Sequence, residues 1–224
     1  MDIVFRHLCF VFALCFAFVA PTTLYAQITP PQGLDQAAAA GLSTLLADIP
    51  KADLPAFGFP DGTAPGTTTL GTPQLLRTIT PASLAAYQSG QSPQTLLSDT
   101  AMWFCPVQID GTTVAYLVMD RVDGDYRAVS LGYARLAKAK RQALDGVSLQ
   151  AGEIPQIVAV FQAQVFFLFL PQTAPDRLFS LTASPTGGAA SLETRISPSD
   201  DSSAVANVVA RLLPVVQENL RQGY

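Results

Sequence analysis

Residues 101–132 read AMWFCPVQIDGTTVAYLVMDRVDGDYRAVSLG, and two Asp-Gly pairs divide them into three runs. A two-residue type I′ turn needs positive φ at both central positions, which Asp-Gly tolerates. Asp110-Gly111 and Asp123-Gly124 therefore each predict a tight hairpin, and the three runs predict an antiparallel meander. The first run is apolar at both alternating sets of positions. Trp103, Cys105 and Val107 fall on one side, Met102, Phe104 and Pro106 on the other. The second run is similarly apolar. Strands of this kind are buried on both faces, so layers are expected to cover the sheet front and back.

Downstream of the meander, residues 133–146 (YARLAKAKRQALDG) carry a helical pattern. Leu136, Ala143 and Leu144 share a face with Tyr133, while Arg135, Lys138 and Arg141 point elsewhere, and Gly146 is a natural stop. Residues 154–170 are rich in β-branched and aromatic side chains and predict one long bent strand or two. Residues 177–183 and 191–196 predict further strands around a turn at 185–188. A closing helix follows, with Asp200 and Asp201 at its favourable start and Pro214 expected to kink or split it.

Upstream, residues 75–79 (LLRTI) predict a short strand. Thr80-Pro81 and Ser92-Pro93 are helix-start pairs, because the hydroxyl caps and proline's missing N–H costs nothing in the first turn. They predict short helices running to Tyr87 and to about Leu97. Residues 35–48 predict a helix capped by Asp35 and stopped at Pro50. Residues 55–73, dense in Pro, Gly and Thr, cannot sustain a regular ladder and predict a loop in which Phe57 and Phe59 are clips onto a core. The organisation expected is a helical segment at 27–54, a Pro/Gly/Thr-rich tether at 55–74 and an α+β domain at 75–224. Its sheet is expected to be an antiparallel meander of about five to six strands with helices on its faces.

The chain's first residues add a targeting signal. An apolar run at 8–20 follows Arg6 and ends at Pro21. It is short of the roughly 20 residues that cross a bilayer and suits the centre of a secretory signal, with Ala26 before the cut. Residues 1–26 are thus expected to be a signal peptide, and the mature chain periplasmic or extracellular. Their loss removes His7, the one histidine, and Cys9 and Cys15, two of the three cysteines. It also removes Asp2 and Arg6, so the net charge of −4 is unchanged. An acidic chain without clustered Lys and Arg is not expected to bind nucleic acid. No transmembrane span is expected in the mature chain, whose longest apolar stretch, 157–170, is interrupted by Gln162 and Gln164.

Chemistry is correspondingly restricted. Without histidine there is no Ser-His-Asp or Cys-His arrangement, and zinc loses its commonest ligand. Cys105 lies in mid-strand between Phe104 and Pro106, where burial disfavours the thiolate, and it is read as a core residue. Asp120, Asp123 and Asp125 lack the spacing of a calcium loop and are read as a solvated turn. Lys140 falls on the apolar side of its helix and is read as a stem lying along apolar surface. No catalytic, metal or cofactor residues are assigned. Arg135, Lys138 and Arg141 form the one candidate interaction face. The expected function is that of a non-catalytic binding or interaction module of the cell envelope, its partner another envelope protein or a small apolar ligand. A carrier with an apolar pocket beside 157–170, or a hydrolase using two carboxylates across a cleft, would be the alternatives.

Overall fold

A computed structural model describes residues 28–63, 65–88, 91–145, 147–149, 153–171, 177–181 and 205–222. In chain order its elements are α1 (Leu34–Asp48), β1 (Thr69–Leu70), β2 (Gln74–Ile79), α2 (Pro81–Ala86), β3 (Leu97–Ile109), β4 (Thr112–Val122), β5 (Asp125–Gly132), α3 (Ala134–Leu144), β6 (Gln156–Val160), β7 (Val165–Leu170), β8 (Arg177–Ser180) and α4 (Val205–Gln222). The expected signal at 1–26, the turn at 185–188, the strand at 191–196 and Asp200 and Asp201 lie outside the described residues.

The meander forms as the two Asp-Gly pairs require. Asp110 and Gly111 have φ of 48° and 74°, Asp123 and Gly124 of 56° and 93°. Ile109 faces Thr112 and Val122 faces Asp125, closing the two hairpins. The fold is α+β, but the sheet is larger than expected and is mixed rather than a pure meander. Its order is β5-β4-β3-β2-β6-β7-β8, and β1 adds to the edge of β3 that β2 also occupies. All pairings are antiparallel except β2 with β6, where Arg77 and Thr78 lie beside Val158 and Ala159. The exception arises because the meander grows away from β3 on one side only. Coming back past α3, the chain lays β6 on the open edge of β2.

Residues 157–170 resolve into two strands. A 3-10 turn at Phe161–Ala163 and a left-handed Gln164 at φ 53° join β6 to β7 as a hairpin. The second short helix reduces to a 3-10 turn at Pro93–Leu96, because β3 starts at Leu97, earlier than its apolar core suggests. Thr80 does cap α2: its Oγ1 accepts from the Ser83 N–H at 3.1 Å, and Ser83 Oγ accepts from the Thr80 N–H at 3.1 Å. Asp35 is not the cap of α1. Gly33, in the left-handed region at φ 84°, holds that position, and Asp35 sits in the first turn, where the helix dipole still favours it. Helix α4 runs through Pro214 without splitting. Ala210, whose carbonyl the proline leaves without an intrahelical donor, is exposed and open to water.

Three apolar layers hold the sheet. Leu34, Ala38, Leu42 and Leu46, one helical turn apart, press α1 onto Trp103, Cys105, Val107, Leu117 and Met119, and Phe59 joins the same layer. On the opposite face, Leu136 and Ala137 of α3 cover Phe104, Tyr116 and Val118, with Ile157 and Leu168 beside them. Helix α4 seals Val158, Val160, Phe167 and Phe169 through Val208, Leu212 and Val216. Each buried Leu, Val or Phe contributes about 1.5–3 kcal/mol, and Cys105, the one cysteine among the described residues, is a free thiol within this core.

Candidate functional site

Cys105 is fully buried, opposite Leu117 across β3–β4. Its thiol is pushed up to about 12, first by burial and then by the nearby Asp35 carboxylate. A thiol in that state is neither nucleophile nor ligand at neutral pH. Among the described residues no three of His, Cys, Asp and Glu come together in a way that would hold a metal ion.

The acidic hairpin tip at β4–β5 is engaged with itself. Asp120 Oδ1 accepts from the Arg121 N–H at 2.7 Å. Arg121 in turn donates through Nε and Nη2 to the Gly124 carbonyl, at 3.3 and 3.2 Å, and its guanidinium lies 5.9 Å from the centre of the Tyr126 ring. These bonds brace the turn rather than converge on an outside ion.

Strand β5 ends the sheet. Among the described residues it pairs only with β4. The two-residue loop closed by Val122 and Asp125 turns the Asp125 backbone towards β4, so alternation turns the amides of Tyr126 and Ala128 outward. Asp125, Arg127 and Val129 are exposed along this edge, and a register irregularity opposite Val118 and Met119 bends its far end. Behind it α1 approaches closely: a Cβ on Gly41 would run into the Ala128 methyl.

On the other face α3 separates its charges as the helical spacing predicts. Arg135, Lys138 and Arg141 are all on the exposed side, although Arg141 spends one N–H on the Thr113 carbonyl at 3.2 Å. Lys140 is turned inward. Its Nζ donates to Gln74 Oε1 at 2.7 Å, and burial pushes the amine down to about 8. Gln74 lies opposite Phe104 across β2–β3. The Phe104 ring is 5.4 Å from those of Tyr116 and Tyr133 and 6.2 Å from that of Phe166. Burial also holds the Tyr116 hydroxyl above its ordinary range. Helical position marks Lys140 in the sequence, whereas nothing local marks Gln74 as its acceptor, since the two are brought together only by the packing of α3 on the sheet.

Together these features define an α+β protein with a mixed sheet, ended among the described residues by β5 and β8, and an inward-facing amine at Lys140. Comparison with protein-family models, curated proteins and solved structures gives no match.

Proposed function

We propose that the chain is an exported, non-catalytic interaction module of the cell envelope. In this reading it works without residues 1–26 and takes up an extended segment of another envelope protein as an added strand beside β5. The observation that carries the reading is the outer edge of β5, unpaired among the described residues, with two backbone amides turned outward and α1 packed behind it. Strand addition draws affinity from main-chain hydrogen bonds and specificity from alternate side chains. Asp125 and Arg127, on one face of β5, favour a partner strand with a basic residue opposite the first and an acidic one opposite the second. Arg135, Lys138 and Arg141 supply a secondary contact for acidic groups on that partner. The apolar run at 8–20 and Ala26 support export.

The test places a photo-crosslinking residue at Arg127 or Val129 in living cells, with Ser43 on the far side of α1 as the control position. A discrete adduct from 127 and 129, absent from 43 and carried by a chain lacking residues 1–26, is expected. Equal adducts from all three positions, or adducts only on chains that keep Met1, would overturn the reading.

A further inference from the structure

We propose that the face of the sheet covered by α3 rests on an anionic phospholipid bilayer. This goes beyond the strand-addition reading and does not depend on it, since the outer edge of β5 lies to the side, in the plane of the sheet. The starting point is how charge is divided between the two faces. Helix α1 and the turn after it lie on one face, where Leu54 and Phe59 share a layer with Leu42 and Leu46. Asp35, Asp48, Asp53 and Asp61 are exposed there, against the single cation Lys51. Helix α3 lies on the other face, over Phe104, Tyr116 and Val118. Arg135, Lys138 and Arg141 are exposed along it, and Asp145 is the one acid within residues 133–145.

The three cations are available to an outside anion. Their spacing of three keeps them on one flank of the helix, and among the described residues no carboxylate forms an ion pair with any of them. Arg141 donates to the Thr113 carbonyl, near the end of β4 that follows Asp110. Asp110 and Asp145 therefore temper the Arg141 end, whereas Arg135 and Lys138 have no acid beside them in α3. The acidic turn at Asp123 lies at the opposite end of β4 from Thr113, flanked by Arg121 and Arg127.

Exposed apolar side chains flank the helix at both ends. Tyr133, just before α3, is held at φ 60°; its ring packs on Phe104 and Phe166 yet the residue is 40% exposed. Past the other end, the Val147 N–H donates to the Leu144 carbonyl at 3.1 Å and Val147 joins the α3 layer. Leu149, two residues on, is 42% exposed. Cations between an aromatic and an aliphatic side chain suit the headgroup level of a bilayer, where phosphates meet the first methylenes. Each cation at an anionic surface strengthens binding about five-fold, so three favour it about a hundred-fold. The acids of the α1 face oppose this little. The sheet and α3 (a helix being about 10 Å across) hold them beyond a Debye length of about 8 Å from a surface on that side.

The full chain is mixed with vesicles of equal parts phosphatidylglycerol and phosphatidylcholine, or of phosphatidylcholine alone, and binding is read by co-sedimentation. Insertion of the apolar residues 8–20 contributes to both vesicles and cancels in the ratio. The anionic vesicles are expected to be preferred about a hundred-fold at low salt, with the preference shrinking as salt is added. Arg135→Gln combined with Lys138→Gln should lower the preference about 25-fold, whereas Lys51→Gln, which removes a charge from the other face, should change it less than about two-fold. A preference below about five-fold would overturn the proposal. So would equal losses from Lys51→Gln and from Arg135→Gln. Binding to soluble polyglutamate without any preference between the vesicles would assign the face to an acidic protein instead.

Discussion

At Lys140 and Cys105 burial acts on opposite kinds of acid, and the two residues should respond to pH with opposite sign. The lysine moves down from 10.5 to about 8 in the folded chain. Below pH 8 the folded state carries a poorly solvated ammonium. Between pH 8 and 10.5 it has released that proton while the unfolded chain still holds it, so stability rises with pH across this window. Lys140→Met, which keeps the stem and removes the charge, should therefore stabilise the protein by about 1–3 kcal/mol at pH 7. The advantage should shrink from pH 8 to 10.5, as read from urea midpoints. A gain that does not change with pH would contradict the assignment.

The thiol moves the other way, from 9.0 to about 12. Folding keeps its proton on, so the stability linked to it is present below pH 9 and is lost as pH rises from there towards 12. At pH 8 iodoacetamide should modify Cys105 only as fast as the chain unfolds. Cys105→Ser, which buries a hydroxyl among apolar groups, should cost about 1–3 kcal/mol. Rapid labelling of the intact fold would contradict the sealed core that the strand faces describe.

Between elements, the closest approach is that of α1 to β5. Gly41 permits it, because a methyl at 41 would collide with that of Ala128. Gly41→Ala should destabilise the protein by about 1–3 kcal/mol despite its better helix propensity. Pairing it with Ala128→Gly should recover most of that loss, and a thermal melt of the single and double variants checks both statements. A neutral Gly41→Ala would mean that α1 stands further from the sheet. The local rules served well wherever the determinant was local. Asp110-Gly111 and Asp123-Gly124 were readable because positive φ is a property of the turn residues themselves. Thr80-Pro81 was readable because the cap is made by its own hydroxyl. Asp35 misled because two neighbours, Gly33 and Asp35, both suit a helix start, and only the backbone geometry of Gly33 separates them.

For the whole molecule, what the sequence left open is what joins distant segments. Alternation identifies residues 156–160 as a strand but carries no information on its neighbour, so the parallel match of Arg77 with Val158 could not be read in advance. The Lys140–Gln74 contact, spanning 66 positions, was hidden for the same reason. The two-sided apolar pattern of β3, by contrast, did predict layers front and back, and α1 and α3 supply them. The open edge follows from the same topology. Because α3 carries the chain back across the sheet to β2, nothing among the described residues pairs with the outer side of β5. The register irregularity near Val129 protects the far end of that edge and leaves residues 125–128 as the part an added strand can use.

That edge is most directly tested by amide hydrogen exchange on the isolated protein. The Tyr126 and Ala128 amides should exchange at least about a thousand-fold faster than that of Leu117 in β4, because outward amides lack ladder bonds. Protection of both to the level of Leu117 would mean that the edge is already paired, within the chain or with a second copy, and would contradict recognition of another protein there.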